Sequence, residues 1–310
     1  MKVLVTGGAG YVGSVLVDKL IKKNYKVCVL DNLMYDNGHT LIPHFKTSKF
    51  QFIKGDVRDK KLLKDLVHNF EHVIHLAAIV GFPACKKNPQ LAKEVNFNST
   101  KYISSLLSKD QGIIYASTGS NYGSIENSIC TEETPLKPIS LYGKTKTKSE
   151  EILLNNNSCI AYRFATAFGL SPRIRLDLLI NDFVYQAINN NSLVMFEKSF
   201  KRTFIHVNDM ADSIIYGIEN YDLMKNDVYN VGGEMNNFNK EEIALMIKNK
   251  VDYYLHFAEF GQDEDKRNYE VSYEKINKKG YKIKTTVEEG INELIKASPA
   301  LDIRSKYKNV

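Results

Sequence analysis

Residues 2–31 read KVLVTGGAGYVGSVLVDKLIKKNYKVCVLD. An apolar run from Lys2 to Val5 meets a glycine-rich turn, a helical apolar pattern follows, and a second apolar run closes on Asp31. Strand, glycine turn, helix and strand are the parts of a dinucleotide-binding unit. The glycines fit two registers: Gly8, Gly10 and Gly13 match the general fingerprint, and Gly7, Gly10 and Gly13 match a variant spacing. In either register one glycine turns the chain off the strand, one clears space for a pyrophosphate, and Gly13 brings the helix close to the sheet. The helix start then offers unpaired N–H groups and its positive end to phosphate. Asp31 follows Gly13 by 18 positions, where a carboxylate accepts hydrogen bonds from an adenosine ribose and repels a 2′-phosphate. The expected cofactor is NAD rather than NADP.

Outward from this unit the alternation continues. FQFIKGD (50–56) reads as a strand, DKKLLKDLVHNF (59–70) as an amphipathic helix and HVIHLAA (72–78) as a buried strand. A helix over 91–108, the strand GIIYAST (112–118), a loop over 119–140, a helix over 141–156 and the strand CIAYRFA (159–165) follow. This predicts an α/β fold, a doubly wound parallel sheet of the Rossmann type with about six or more strands, and a smaller C-terminal α/β substrate lobe. Residues 1–165 are expected to form the NAD-binding domain, with 202–233 returning to it. Residues 166–201 and 234–310 are expected to form the lobe, and the cleft between the two is the expected site.

Composition narrows the function. The chain has 310 residues, 43% of them hydrophobic, with 42 Lys plus Arg against 36 Asp plus Glu, a net charge of +6. The basic residues are scattered, so a small anionic substrate is expected and a nucleic acid is not. Cys28, Cys85, Cys130 and Cys159 lie far apart and the seven histidines show no ligand spacing, so neither a metal site nor a disulfide framework is expected. Reduced thiols, a start too short for a signal sequence and no apolar run near roughly 18 residues give a cytoplasmic protein without a membrane span as the expectation.

A second signal is SLYGKTK, where Tyr142 and Lys146 stand four apart at a helix start and share one face. A tyrosine ionises near pH 10 in water, too high for a base at neutral pH. An ammonium one turn away favours the phenolate.

With TGGAGYVGS (6–14), Asp56-Val57, HLAA (75–78), ASTGSNYG (116–123), YGKTK (142–146), RFATAFG (163–169), RTFIHVND (202–209) and YNVGG (229–233) in this order, the chain resembles the extended short-chain dehydrogenases, the nucleotide-sugar epimerases, dehydratases and reductases. The resemblance implies that Asp56 and Val57 flank the adenine, that Leu76, Ala77 and Ala78 line the pyrophosphate, and that Tyr142, Lys146 and Phe164 surround the nicotinamide half. Tyr11 and Val12 beside the glycines, and Asn32 beside Asp31, complete the expected cofactor set. Thr118 is implied as the hydroxyl that hydrogen-bonds the reacting sugar oxygen.

In 4,6-dehydratases of this family, segment 117–120 would read Ser-Thr-Asp-Glu, but here it is Ser117-Thr118-Gly119-Ser120. Without an acid to protonate a leaving hydroxyl, elimination lacks its catalyst, and redox chemistry at C4 remains. VCVLDNLMYD (27–36), Pro83 to Lys86 and SPRIRLDLLINDFVYQA (171–187) resemble GDP-heptose 4-dehydrogenases of capsule biosynthesis, which makes a 4-dehydrogenase the leading expectation and a 4-epimerase of a UDP- or GDP-sugar or a 4-ketoreductase the alternative. A non-catalytic NAD-binding regulator comes last, disfavoured by the intact Thr118, Tyr142 and Lys146. For the substrate diphosphate the candidates are Arg173, Arg175, Arg202, Arg267 and Asn181, because the guanidinium fork binds two phosphate oxygens. Pairing of family members through helices equivalent to 91–108 and 141–156 implies a homodimer, with Ile103, Leu106, Leu107, Ile152 and Leu153 as its apolar core.

Overall fold

The computed structural model of the chain describes residues 1–125, 129–258 and 270–301. From the N-terminus, β1 (Lys2–Thr6) leads through the glycine turn to α1 (Tyr11–Lys22) and β2 (Lys26–Asp31), followed by β3 (Phe50–Lys54), α2 (Lys60–Leu66) and β4 (His72–His75). Helices α3 (Phe82–Lys87), α4 (Pro89–Lys93) and α5 (Ser99–Leu106) precede β5 (Gly112–Thr118), and β6 (Ile129–Cys130), α6 (Leu141–Asn156) and β7 (Ser158–Phe164) come next. The remaining elements are β8 (Thr166–Phe168), α7 (Leu179–Asn189), β9 (Ser192–Met195), β10 (Lys201–His206), α8 (Val207–Glu219), α9 (Tyr221–Met224), β11 (Asp227–Val231), β12 (Asn237–Asn239), α10 (Lys240–Lys248), β13 (Tyr254–Phe257), β14 (Glu270–Val271), α11 (Glu274–Lys278) and α12 (Val287–Ala297).

Seven strands form one sheet in the order β11-β7-β5-β4-β1-β2-β3, every neighbouring pair parallel. A parallel sheet is covered by helices on both faces, so its central strands are continuous apolar runs. Val3, Leu4 and Val5 of β1 are wholly buried, each worth about 1.5–3 kcal/mol of transfer free energy. Helix α1 packs against α8 on one face, with Lys19 paired to Asp212 at 2.7 Å. The chain reverses its direction of sheet growth between β1 and β4, the crevice where ligands of such folds bind.

A separate apolar cluster, with Phe168, Ile174, Leu176, Ile180, Phe183, Phe204, Ile243, Ile247, Ile291 and Leu294, is the core of the smaller α/β lobe. Segment 202–233 divides between the two parts. Strand β11 takes the edge of the large sheet beside β7, but β10 lies between β8 and β12 in a three-stranded sheet. A short strand reading KRTFIH fits either place, so its sequence alone did not say which sheet it joins.

Three further expectations need correction. The helix expected over 91–108 is interrupted by a π-helical turn at Glu94–Asn98, and the loop over 119–140 contains β6, which pairs with β14. Of the residues expected to form a dimer core, Ile103 and Leu153 are wholly buried in the protomer's own core and have no surface left to offer a partner. Leu106, Leu107 and Ile152 are half-buried. Among the described residues no helix is long and apolar enough to cross a membrane.

Candidate active site

A cavity of about 900 Å³ opens along the carboxyl edge of the large sheet and runs under the smaller lobe. That is at the upper end of the range for small-molecule sites. Residues just past β1, β3 and β4, and at the ends of β2, β5 and β7, line it: Gly7, Asp56, Leu76, Asp31, Thr118 and Phe164.

The glycine turn shows which register operates. Gly7 has φ +74, and a Cβ there would stand 2.7 Å from the backbone nitrogen of Ala77. A Cβ on Gly13 would stand 2.3 Å from the Gly7 carbonyl oxygen. A Cβ on Gly8 would also crowd its neighbour, 2.6 Å from Val29 Cγ2, but on the sheet side. Gly7, Gly10 and Gly13 line the cavity and Gly8 does not, so they are the set that faces a ligand. Helix α1 begins at Gly10 with no side-chain cap and no acidic residue in its first turn. Gly10, Tyr11, Val12 and Gly13 line the cavity at this uncapped end, which leaves its N–H groups for an anion. The Tyr11 hydroxyl is engaged elsewhere, donating to the Gly169 carbonyl at 2.8 Å.

Asp31 accepts hydrogen bonds from Ala9 N at 3.0 Å and Leu33 N at 2.9 Å. Burial nevertheless raises its pKa above the ordinary carboxylate value, the two N–H groups opposing that effect. Each oxygen keeps lone-pair capacity for a ribose hydroxyl. Asn32 donates to Asp56 at 3.0 Å, and Arg58 beside it holds the Asp56 carboxyl at about 2, against the effect of burial. Asn32, Asp56, Val57, Leu76, Ala77 and Ala78 all line the same end of the molecule's cavity. An uncapped helix end, glycines whose Cβ atoms would clash, and a ribose-facing carboxylate fit a dinucleotide.

Tyr142 and Lys146 sit in the first turns of α6, whose start is capped by Ser140 Oγ accepting from Gly143 N at 3.1 Å. Both line the cavity, as do Thr118, Phe164 and Ser120. Lys146 is buried, its Nζ 4.0 Å from the Tyr115 ring centroid. Burial pulls its ammonium down to about 7, with Glu150 and then Cys85 opposing. Thr118 Oγ1 accepts from Ser120 N and donates to Ser120 Oγ, both at 3.2 Å. The carboxylates that line the cavity, Asp31, Asp56, Asp177 and Asp182, come from other segments than 117–120.

On the lobe side Arg173, Arg175 and Arg202 line the cavity. Arg175 is held by Asp177 through two contacts, Nε–Oδ1 at 3.1 Å and Nη2–Oδ2 at 2.5 Å. Arg173 stacks its guanidinium 4.8 Å over the Tyr35 ring. Asn181 does not line the cavity: its amide accepts from Gly169 N at 2.9 Å and donates to the Arg175 carbonyl at 2.9 Å. Its expected contact with the diphosphate is corrected accordingly, since backbone groups occupy both ends of the amide. Arg267 lies outside the described residues.

The structure adds lining residues that the sequence did not single out, among them Tyr35, Ser120, Asp177 and Lys240. Lys240 Nζ donates to the Phe196 carbonyl at 3.1 Å. No local pattern marked it, because it reaches the cavity only through the pairing of β12 with β10. The π-turn has a visible use: Asn96 within it accepts from Ile79 N at 2.8 Å and donates to Ile79 O at 2.9 Å, fixing a cavity-lining segment. π-Turns often mark such sites.

Known proteins resemble this chain along most of its length. A protein of Methanocaldococcus jannaschii, provisionally described as a UDP-glucose 4-epimerase, is 29% identical, with 94% of this chain and 97% of that one covered. UDP-arabinose 4-epimerase 1 of Arabidopsis thaliana is 28% identical, with 81% of this chain and 69% of that one covered. Among solved structures, the UDP-glucuronic acid 4-epimerase of Bacillus cereus superposes with a TM-score of 0.86 at 23% identity, covering 97% of this chain and 99% of that one. The model of the NAD dependent epimerase/dehydratase family matches residues 3–232, three quarters of the chain and all of the large sheet, so this protein belongs to that family and is an NAD-dependent enzyme.

Proposed function

We propose that this enzyme is a UDP-sugar 4-epimerase, with the glycine turn and Asp31 holding NAD and the smaller lobe holding the nucleotide sugar. The observation that carries the reading is the convergence of Thr118, Tyr142 and Lys146 on the cavity that the uncapped α1 end also faces, with Gly119 and Ser120 where an elimination would need acids. Bound NAD would supply a hydride acceptor that can return the hydride to the opposite face of the sugar. Tyr142 removes the proton of the C4 hydroxyl, and Thr118 holds that oxygen by a hydrogen bond. Lys146 stabilises the phenolate by charge and donates to the cofactor ribose. Arg202 and Lys240, both buried cations on the lobe wall, take the diphosphate.

The 4-dehydrogenase expectation stood on stretches outside this catalytic group. The Methanocaldococcus and Arabidopsis relatives are named for 4-epimerisation of UDP-sugars, which turns the reading toward the epimerase. Incubation with UDP-glucose, UDP-galactose, UDP-arabinose, UDP-glucuronic acid and GDP-sugars, with products resolved by NMR, tests it. An epimerase yields the C4 epimer without net NADH. Accumulation of a 4-keto sugar with reduced cofactor, or turnover of GDP-sugars alone, would overturn it.

A further inference from the structure

The helix that carries Tyr142 and Lys146 presents a third ionisable residue on the same face, Glu150, another four positions on. It is buried and its carboxylate is saturated. Oε2 accepts from Ser117 Oγ at 2.5 Å and Asn121 Nδ2 at 3.3 Å. Oε1 accepts from Arg163 Nη2 at 2.6 Å and Nε at 3.1 Å. Ser117 immediately precedes Thr118, Asn121 lies in the turn that Thr118 caps, and Arg163 sits opposite Ser117 in the register of β7 with β5. Arg163 in turn donates to the Tyr122 hydroxyl at 3.0 Å and the Glu132 carbonyl at 3.1 Å. Tyr122 donates to Asn230 at 2.7 Å, on the edge strand β11.

We propose that Glu150, locked by Arg163, is a positioning residue that fixes the Tyr142–Lys146 face of α6 to the Thr118 end of β5 and holds its carboxylate behind Lys146. A buried ion pair is weak evidence for stability, since apolar residues of equal volume often do as well or better. What an apolar pair cannot supply is a carboxylate with hydrogen bonds to three elements at once. The groups facing Lys146 are Tyr142 and Glu150 on its own helix, Tyr115 on β5, His75 on β4 and Cys85 on α3. Burial pushes the Tyr115 hydroxyl well up, the Cys85 thiol up to about 11 and His75 down to about 3, Lys146 adding to the last. Those three are therefore neutral at neutral pH, and Glu150 is the anion that opposes the desolvation of Lys146.

The inference rests on Tyr142 acting as the base, and the test separates the two claims. The ultraviolet absorbance of the phenolate is titrated in the NAD-loaded protein, taking the difference between each protein and its Tyr142→Phe counterpart. Turnover of UDP-galactose is followed alongside. With Glu150→Gln, Lys146 loses its proton at lower pH, and a neutral amine one turn from the tyrosine outweighs the lost carboxylate two turns away. The phenolate signal should then appear at higher pH by about half a unit or more, with kcat down roughly 10-fold or more and KM within about 3-fold. Glu150→Asp should restore part of the signal. An unmoved titration and kcat in Glu150→Gln overturn the positioning role while leaving Tyr142 as the base. Absence of a phenolate signal in the wild type overturns the base itself. If Glu150→Gln does not fold, Ser117→Ala and Asn121→Ala, which leave the ion pair intact, carry the test. Each should lower kcat several-fold, and unchanged kcat in both overturns the proposal.

Discussion

The two ends of the cavity are built by different means. At the cofactor end the chain works through its backbone: a left-handed Gly7, a Gly13 with no room for a Cβ, an uncapped helix start and one carboxylate at the end of β2, all within 31 consecutive residues. At the lobe end it works through long side chains from distant segments. Arg173 and Arg175 follow β8, Arg202 comes from β10 and Lys240 opens α10. A phosphate can be cradled by N–H groups whose positions one turn of helix dictates, or gripped by cations that tertiary folding delivers. Changes at the first end should act on geometry and those at the second on charge.

The sharpest way to break this contrast is Gly13→Ala. Its Cβ would stand 2.3 Å from the Gly7 oxygen, so helix and turn must separate. Isothermal titration should show NAD binding lost or weakened by at least about 100-fold, and normal binding would mean the close approach is dispensable. Between the two ends, Tyr142→Phe should lower kcat on a UDP-sugar by at least about 100-fold with NAD affinity nearly intact. A near-wild-type rate would send the C4 proton by another route.

Asp31→Ala should weaken NAD by about 1.5–3 kcal/mol, roughly 10–150-fold, as expected for charge-assisted hydrogen bonds, while the wild type should prefer NAD to NADP. Equal affinity of the wild type for both would remove Asp31 from the ribose. Arg202→Ala should raise the KM for the nucleotide sugar about 10-fold or more and leave NAD affinity unchanged. A change in NAD affinity instead would erase the division between the two ends.

The smallest expected effect concerns Lys146, whose pKa burial pulls to about 7, against roughly 10.4 for an unburied lysine. Between these values the folded, NAD-free protein binds fewer protons than the unfolded chain, so stability rises with pH across that window. Relative to Lys146→Met, the wild-type Tm should rise by a few degrees from about pH 7 to about pH 9.5. A flat difference would mean that the lysine is not carrying this burial penalty.

What the sequence determined by itself is what its neighbours in the chain decide. Alternating apolar runs and helical stripes specified the parallel sheet, and the spacing of Gly7, Gly10 and Gly13, of Gly13 and Asp31, and of Tyr142 and Lys146 placed those groups, because turn, helix and strand geometry are local. Only the tertiary structure decided between the glycine registers, by turning Gly8 to Val29 on the sheet side and Gly7, Gly10 and Gly13 to the cavity. It alone put β10 in the small sheet and buried Ile103 and Leu153 inside the protomer. It also turned Asn181 to backbone groups and brought Lys240 to the cavity wall. The Glu150–Arg163 pair spans only 13 positions and joins consecutive elements, yet Ser117 reaches the same carboxylate because parallel β5 and β7 stand side by side beneath α6, and strand adjacency is a property of the fold rather than of spacing.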